Sequence, residues 1–173
     1  MNLDFLTLDS WVTADHHWEH PNIRLYQNRP ENHFEIMRAR WIDRVLFDDI
    51  VLHLGDLVCF GDRKRHPFWI DGLPGQKYLI RGNHDKHSDQ WYSAAGFKVL
   101  GRKPLYWHRY DKGKIVCFSH EPETQTGGWD INVHGHLHLN DYWLDPRRLQ
   151  DRRNVCVERT GYAPVRLREV LEG

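Results

Sequence analysis

Short polar blocks stand out along this chain: Asp15-His16-His17, Gly55-Asp56, Gly82-Asn83-His84-Asp85, Ser119-His120 and Gly135-His136-Leu137-His138. Histidine nitrogens and carboxylate or amide oxygens are borderline-to-hard donors. A mixed His/Asp/Asn set without cysteine suits manganese, iron, zinc, nickel or cobalt better than soft metals. The total of 13 histidines points to metal, a tag or chance, and the lack of any long consecutive run argues against a tag. A second pattern, His16-His17-Trp18-Glu19-His20, matches the inverted zinc-protease motif H-x-x-E-H. That motif needs a helix, whereas a strand-like run precedes this one and Pro21 follows it, so the protease reading is set aside.

The elements that must position these blocks follow at short spacing. Trp11 to Ala14 predicts a strand ending at Asp15. Asp49 to Leu54 predicts one running into Gly55-Asp56, and Lys77 to Ile80 one running into Arg81-Gly82-Asn83. A helix is expected over Glu31 to Asp48, where Phe34, Met37, Trp41 and Val45 fall at helical spacing and Asn32 is placed to cap. A second is expected over His87 to Ala95, closed by Gly96. Pro104 to Arg109 and Lys114 to Ser119 read as a hairpin joined at Asp111-Lys112-Gly113. Asn132 to His134 and Asn154 to Glu158 read as further strands. Val165 to Glu172 reads as a last strand or a short terminal helix. The expected first half is β-α-β-α-β and the second mostly antiparallel β, as two stacked sheets with helices outside, in one domain over residues 1–173. Each polar block then lies at the carboxyl end of a strand, where α/β sheets bind ligands.

Composition narrows the function classes. Lysine plus arginine equal aspartate plus glutamate at 24 each, so the formal net charge is zero. That argues against a strongly basic nucleic-acid coat while allowing a local patch. Cys59, Cys117 and Cys156 are too few and scattered for a disulfide framework and read as small buried residues in a reducing compartment. Met1 to Leu8 lacks the basic start of a signal peptide, and no apolar run reaches the ~18 residues of a membrane helix. The expectation is a cytoplasmic protein that does not enter membranes.

Taken in order, the blocks D-x-H, GD, GNHD, H and GHxH resemble the calcineurin-like metallophosphoesterase superfamily from Asp15 to His138. The stretch from Asp15 to Ile23, with Asn28-Arg29-Pro30, resembles its small single-domain bacterial and phage branch. The resemblance implies a four-layer α/β/β/α sandwich of two mixed sheets flanked by helices. It implies two divalent ions, manganese first, with iron, zinc, nickel or cobalt as alternatives. Asp15, His17 and His138 would hold one ion and Asn83, His120 and His136 the other, with Asp56 between them. Two divalent ions, two aspartates and a bridging hydroxide leave a charge of about +1, which attracts a phosphoester anion. The hydroxide would attack phosphorus in line between metals ~3.5–4 Å apart. His84 would assist the leaving oxygen, oriented and made more basic by Asp85. Phosphodiesters are slightly preferred over monoesters on the same resemblance.

The departures are informative. Protein phosphatases and diadenosine-tetraphosphate hydrolases resemble each other in a GDxxDRG second block, whereas here Cys59 and Phe60 replace its acid and arginine. In 173 residues no cap domain is expected, so the site should be open and the substrate small or flexible. His20 and Arg29 are candidates for a second layer behind the ligands or for substrate contacts, an arginine fork suiting phosphate oxygens, while Arg24 reads as surface. Arg147, Arg148, Arg152 and Arg153, balanced by Asp145 and Asp151, could grip a nucleic-acid backbone. Trp129 after Gly127-Gly128 could stack on a base, whereas Trp107, Tyr142 and Trp143 read as packing. His53 and His134 read as core; His33, His66, His87 and His108 carry no readable role. An end-processing nuclease on the same chemistry is therefore the alternative to a general phosphoesterase, with a non-catalytic scaffold as a third class. Nucleic acid is allowed as a partner but not required, and the sequence leaves the oligomeric state open.

Overall fold

The computed structural model describes residues 3–59, 64–110, 113–124, 128–140 and 151–173. Two sheets form. The first runs β4-β3-β2-β1-β9, from β1 (Trp11–Thr13), β2 (Ile50–His53), β3 (Gln76–Ile80), β4 (Phe97–Gly101) and β9 (Val165–Arg166). β1 to β4 are parallel and β9 is antiparallel to β1. The second runs β5-β6-β7-β8, from β5 (Leu105–Tyr110), β6 (Lys114–Ser119), β7 (Ile131–His134) and β8 (Arg152–Asn154).

The sheets stack through one apolar cluster. Val12, Ala14, Leu52, Leu54 and Ile80 of the first sheet meet Trp107, Val116, Phe118 and Val133 of the second. The opposite face of the first sheet carries Trp11, Val51, Leu79 and Phe97. It is covered by α2 (His33–Arg44), α3 (His66–Ile70) and α4 (Asp89–Ala94) through Met37, Trp41, Trp69, Ile70 and Tyr92. Alternation along each strand thus feeds two cores, and an α/β fold of two stacked mixed sheets with helices results.

The expected strands and helices are present with shifted ends. α2 stops at Arg44 because Val45 turns extended and buries its side chain, while Asp49 accepts the Leu46 amide at 2.9 Å and steers the chain into β2. Asn32 flanks α2 without a side-chain cap, whereas Ser88 caps α4 by accepting from the Trp91 amide. Gly96 follows α4 at φ +82°, the left-handed turn expected of it. The turn at Asp111-Lys112 lies outside the described residues.

Three expectations are corrected. The second sheet is mixed rather than mostly antiparallel: only β5–β6 is antiparallel, and β6–β7 and β7–β8 are parallel. The strand expected over Asn154 to Glu158 lies two residues earlier. Cys156 forms an isolated parallel bridge to Ala14, and the chain then turns. The segment from Val165 is both a strand and a helix: β9 pairs with β1 and leads directly into α5 (Leu167–Glu172). β4, α1 (Ile23–Tyr26) and α3 have no counterpart in the sequence reading. No helix among the described residues is long and apolar enough to cross a membrane.

Candidate metal centre

Every polar block sits just past a strand end. β1 delivers Asp15 and His17, β2 Asp56, β3 Asn83 to Asp85, β6 His120, and β7 His136 and His138. The loops are tight. Asp15, His17, Asp56, His136 and His138 all have positive φ, from 50° to 69°. Left-handed backbone at non-glycine residues is costly and collects at functional sites. Glycine is needed where the loops touch. A Cβ on Gly82 would collide with the Asp56 carboxylate, and one on Gly135 with that of Asp15.

Two of the donor groups among the described residues are built from the expected ligands. Asp15, His17 and His138 present ligand atoms within 4.8 Å of one another, as do Asp56, His120 and His136. In the first, Asp15 Oδ1 is 3.6 Å from His17 Nε2 and 3.8 Å from His138 Nε2. In the second, Asn83 Oδ1 lies 2.9 Å from His120 Nε2 and 3.2 Å from His136 Nδ1. Asp56 Oδ2 stands between the groups, 3.5 Å from His17 Nε2 and 3.4 Å from His120 Nε2. The fold thus brings all the ligand candidates named from the sequence to one place.

The donors suit divalent cations. Asp15 Oδ1 and His17 Nε2 are buried without hydrogen-bond partners. Orphaned buried lone pairs are costly, and a cation between them would satisfy both. Although burial pushes the Asp15 carboxyl up, His17, His120 and His138 outweigh it and hold it well below the usual range. Burial would likewise push His120 down. Instead Asp56 and Asp15 hold it up at about 9, so without a cation the carboxylates draw a proton onto this imidazole. His120 Nδ1 faces the Leu54 carbonyl at 2.8 Å, which aims Nε2 at the centre.

Sequence reasoning missed a surrounding layer. Cys156 donates its thiol to Asp15 Oδ2 at 3.2 Å; burial first, then Asp15, pushes its pKa well up and keeps it protonated. Glu158 Oε1 lies 3.0 Å from His138 Nδ1, and Arg29 contacts the same oxygen. No local pattern marks Cys156 or Glu158; the Ala14–Cys156 bridge and the bond from the Val157 amide to the Ala14 carbonyl bring this segment beside the end of β1.

Two site expectations are corrected. Asp85 does not orient His84. Its carboxylate accepts the amides of Asp56, Gly82, Leu57 and Val58 and the Tyr92 hydroxyl. The thiol of Cys59 lies 3.3 Å from His84 Nδ1. Arg29 is not a substrate contact. Its side chain is fully buried, and Nε, Nη1 and Nη2 are all engaged by Glu158 and by the His16 and Asp15 carbonyls. His20, by contrast, is half-exposed at the mouth, its ring 6.1 Å from that of His84 and 5.6 Å from that of His17.

The nucleic-acid features turn inward where they are described. Trp129 is buried and the Arg152 guanidinium lies over its ring. Arg152 donates to the Glu123 carbonyl and Arg153 to that of Val170. Tyr142, Trp143, Asp145, Arg147 and Arg148 lie outside the described residues. His53 and His134 are fully buried, as are the three cysteines or nearly so, and residues 16–20 form no helix, in line with the sequence reading.

Comparison with known proteins agrees with this arrangement. The family model for calcineurin-like phosphoesterases matches residues 9–160. The chain belongs to that family. It is 33% identical over 167 residues to an uncharacterized protein of Methanocaldococcus jannaschii, covering 91% of this chain and 86% of the relative. It is 26% identical to the Gene 66 protein of Mycobacterium phage D29, over 81% of this chain and 69% of that one. A protein of unknown function from Aquifex aeolicus shares the fold at a TM-score of 0.73 and 23% identity, over 94% of this chain and 97% of that one. As a calcineurin-like phosphoesterase, the chain joins a family of phosphoester hydrolases, and its His/Asp clusters fit the divalent metals such enzymes bind.

Proposed function

We propose that this calcineurin-like phosphoesterase hydrolyses phosphoesters at a two-metal centre, with phosphodiesters slightly preferred over monoesters. Asp15, His17 and His138 hold one divalent ion, Asn83, His120 and His136 the other, and Asp56 bridges them. Manganese is the first candidate. The observation that carries the reading is the position of Asp56 Oδ2, nearly equidistant from an imidazole nitrogen of each group. Two divalent ions held there would neutralise phosphoryl oxygens and lower the pKa of water between them.

The protein's own groups supply the rest. Asn83 contributes a neutral oxygen, which keeps the centre positive toward an anionic ester. His84 is anchored by its amide, which donates to Asp56 Oδ1 at 2.8 Å, and its half-buried ring faces that of His17 at 5.1 Å. From there it can hand a proton to the departing oxygen. Burial, with His17 and His84 nearby, lowers the His20 pKa to about 4. Its Nδ1 accepts the Asn22 amide at 3.1 Å, so His20 meets the substrate as a neutral imidazole with Nε2–H as a hydrogen-bond donor.

The test is the manganese-loaded protein assayed on bis(p-nitrophenyl) phosphate and p-nitrophenyl phosphate. Faster diester turnover is expected. Faster monoester turnover would reverse the preference, and turnover of neither would overturn the hydrolase reading.

A further inference from the structure

We propose that Glu158 and Arg29 form a buried positioning pair that sets the imidazole of His138 and the loop of Asp15 for the same metal ion. This rests on the metal assignment made above.

Glu158 Oε1 lies 3.0 Å from His138 Nδ1. An ionised carboxylate only accepts, so Nδ1 carries the proton and Nε2 keeps its lone pair. Nε2 is the nitrogen that faces Asp15 Oδ1 at 3.8 Å. The carboxylate therefore chooses both the tautomer and the ring face that His138 offers to a cation, as carboxylates behind metal-bound histidines do.

A carboxylate that is 2% exposed needs compensation. Arg29 supplies it, with Nε at 2.7 Å and Nη2 at 2.6 Å from Oε1. The same guanidinium donates through Nη1 to the His16 carbonyl at 2.8 Å and through Nη2 to that of Asp15 at 2.7 Å. One planar fork thus ties the backbone of the first ligand to the carboxylate that sets the last. Lysine, a single point charge on a flexible stem, could not span these acceptors. Arg29 and Glu158 lie 129 residues apart, so the brace is a tertiary contact and not a local one.

Two measurements test the pair. In the first, manganese binding to metal-stripped protein is titrated for wild type, Glu158→Leu, Glu158→Gln and Arg29→Lys. Glu158→Leu should weaken one of the two ions about 10–100-fold and leave the other unchanged. Glu158→Gln, which keeps the volume and one acceptor oxygen, should recover part of that loss. Arg29→Lys should weaken the same ion. Wild-type affinity in both Glu158 variants would overturn the proposal.

The second uses metal-free protein and the denaturant midpoints of Arg29→Met, Glu158→Leu and the double variant. Each single change strands a buried charge, so the double variant should lie above the more damaged single one. Strictly additive losses would overturn the pairing. A wild-type protein that holds no ions would instead overturn the metal assignment. The two failures are therefore told apart.

Discussion

Asp85 takes the amide N–H of Asp56 onto its carboxylate at 2.8 Å, so the residue beside His84 serves the bridging loop and not the imidazole. The same carboxylate collects the amides of Gly82, Leu57 and Val58 and the Tyr92 hydroxyl. It fastens the loop after β2 to the loop after β3, the two that carry Asp56 and Asn83.

Replacing Asp85 by alanine should therefore act on stability and metal retention before chemistry. Each stranded buried donor costs about 1–3 kcal/mol and several are stranded at once, so a loss of at least about 3 kcal/mol is expected in denaturant melts. Bound metal should fall with it. Full stability and metal content with slowed turnover would instead restore Asp85 to an acid–base role.

His84→Ala should do the opposite. It removes a ring at the mouth without removing a ligand. Turnover should fall about 100-fold or more, the usual scale for a positioned general acid, with bound metal unchanged by elemental analysis. The fall should be larger for an alkoxide leaving group than for p-nitrophenolate, which departs without a proton. An equal fall on both esters would leave His84 a role in charge stabilisation alone.

Cys117 offers a pH signature remote from the centre. Burial first, and then the charge of Glu123, pushes its thiol up to about 12. The unfolded thiol titrates near 9. Stability tied to the protonated thiol is complete below pH 9 and is lost as pH rises toward 12, because only the unfolded chain gives up the proton there. Cys117→Val should flatten the fall in melting temperature across that window. An unchanged slope would show that other groups cause the loss.

Metal removal should weaken the fold. The strained loops at Asp15, His17, Asp56, His136 and His138 gather donors that a cation would satisfy. An ion present at a hundred times its dissociation constant adds about 2.7 kcal/mol. Stripping with a chelator should lower the melting temperature reversibly, and manganese should restore it. A melting temperature indifferent to metal would mean that the centre is not loaded in the folded protein.

Much of this centre is legible in the sequence because its physics is local. Asp15, Asp56, Asn83, His120 and His136 each follow a short apolar run within a few residues, and the glycines beside them mark where loops must touch. The residues behind them leave no such trace. Cys156 and Glu158 gain their roles from the parallel bridge of Ala14 to Cys156, and 141 residues separate Asp15 from the thiol it accepts. Asp85 misleads for the opposite reason. Adjacency to His84 suggests a pair, but the backbone points its side chain into the core beneath the loop. The parallel course of β6, β7 and β8 is hidden because the sequence between them shows no helical spacing like that of Phe34, Met37, Trp41 and Val45 between β1 and β2. Likewise Trp129, though preceded by glycine, is buried, with Arg152 over its ring.

The most direct test of the central claim is a titration of metal-stripped protein with manganese that records bound ions and bis(p-nitrophenyl) phosphate turnover together. Two ions spanning Asp56 should make turnover rise with occupancy of the second site. Asp56→Asn should abolish that rise. Full turnover at one bound ion, or none with both bound, would contradict the account.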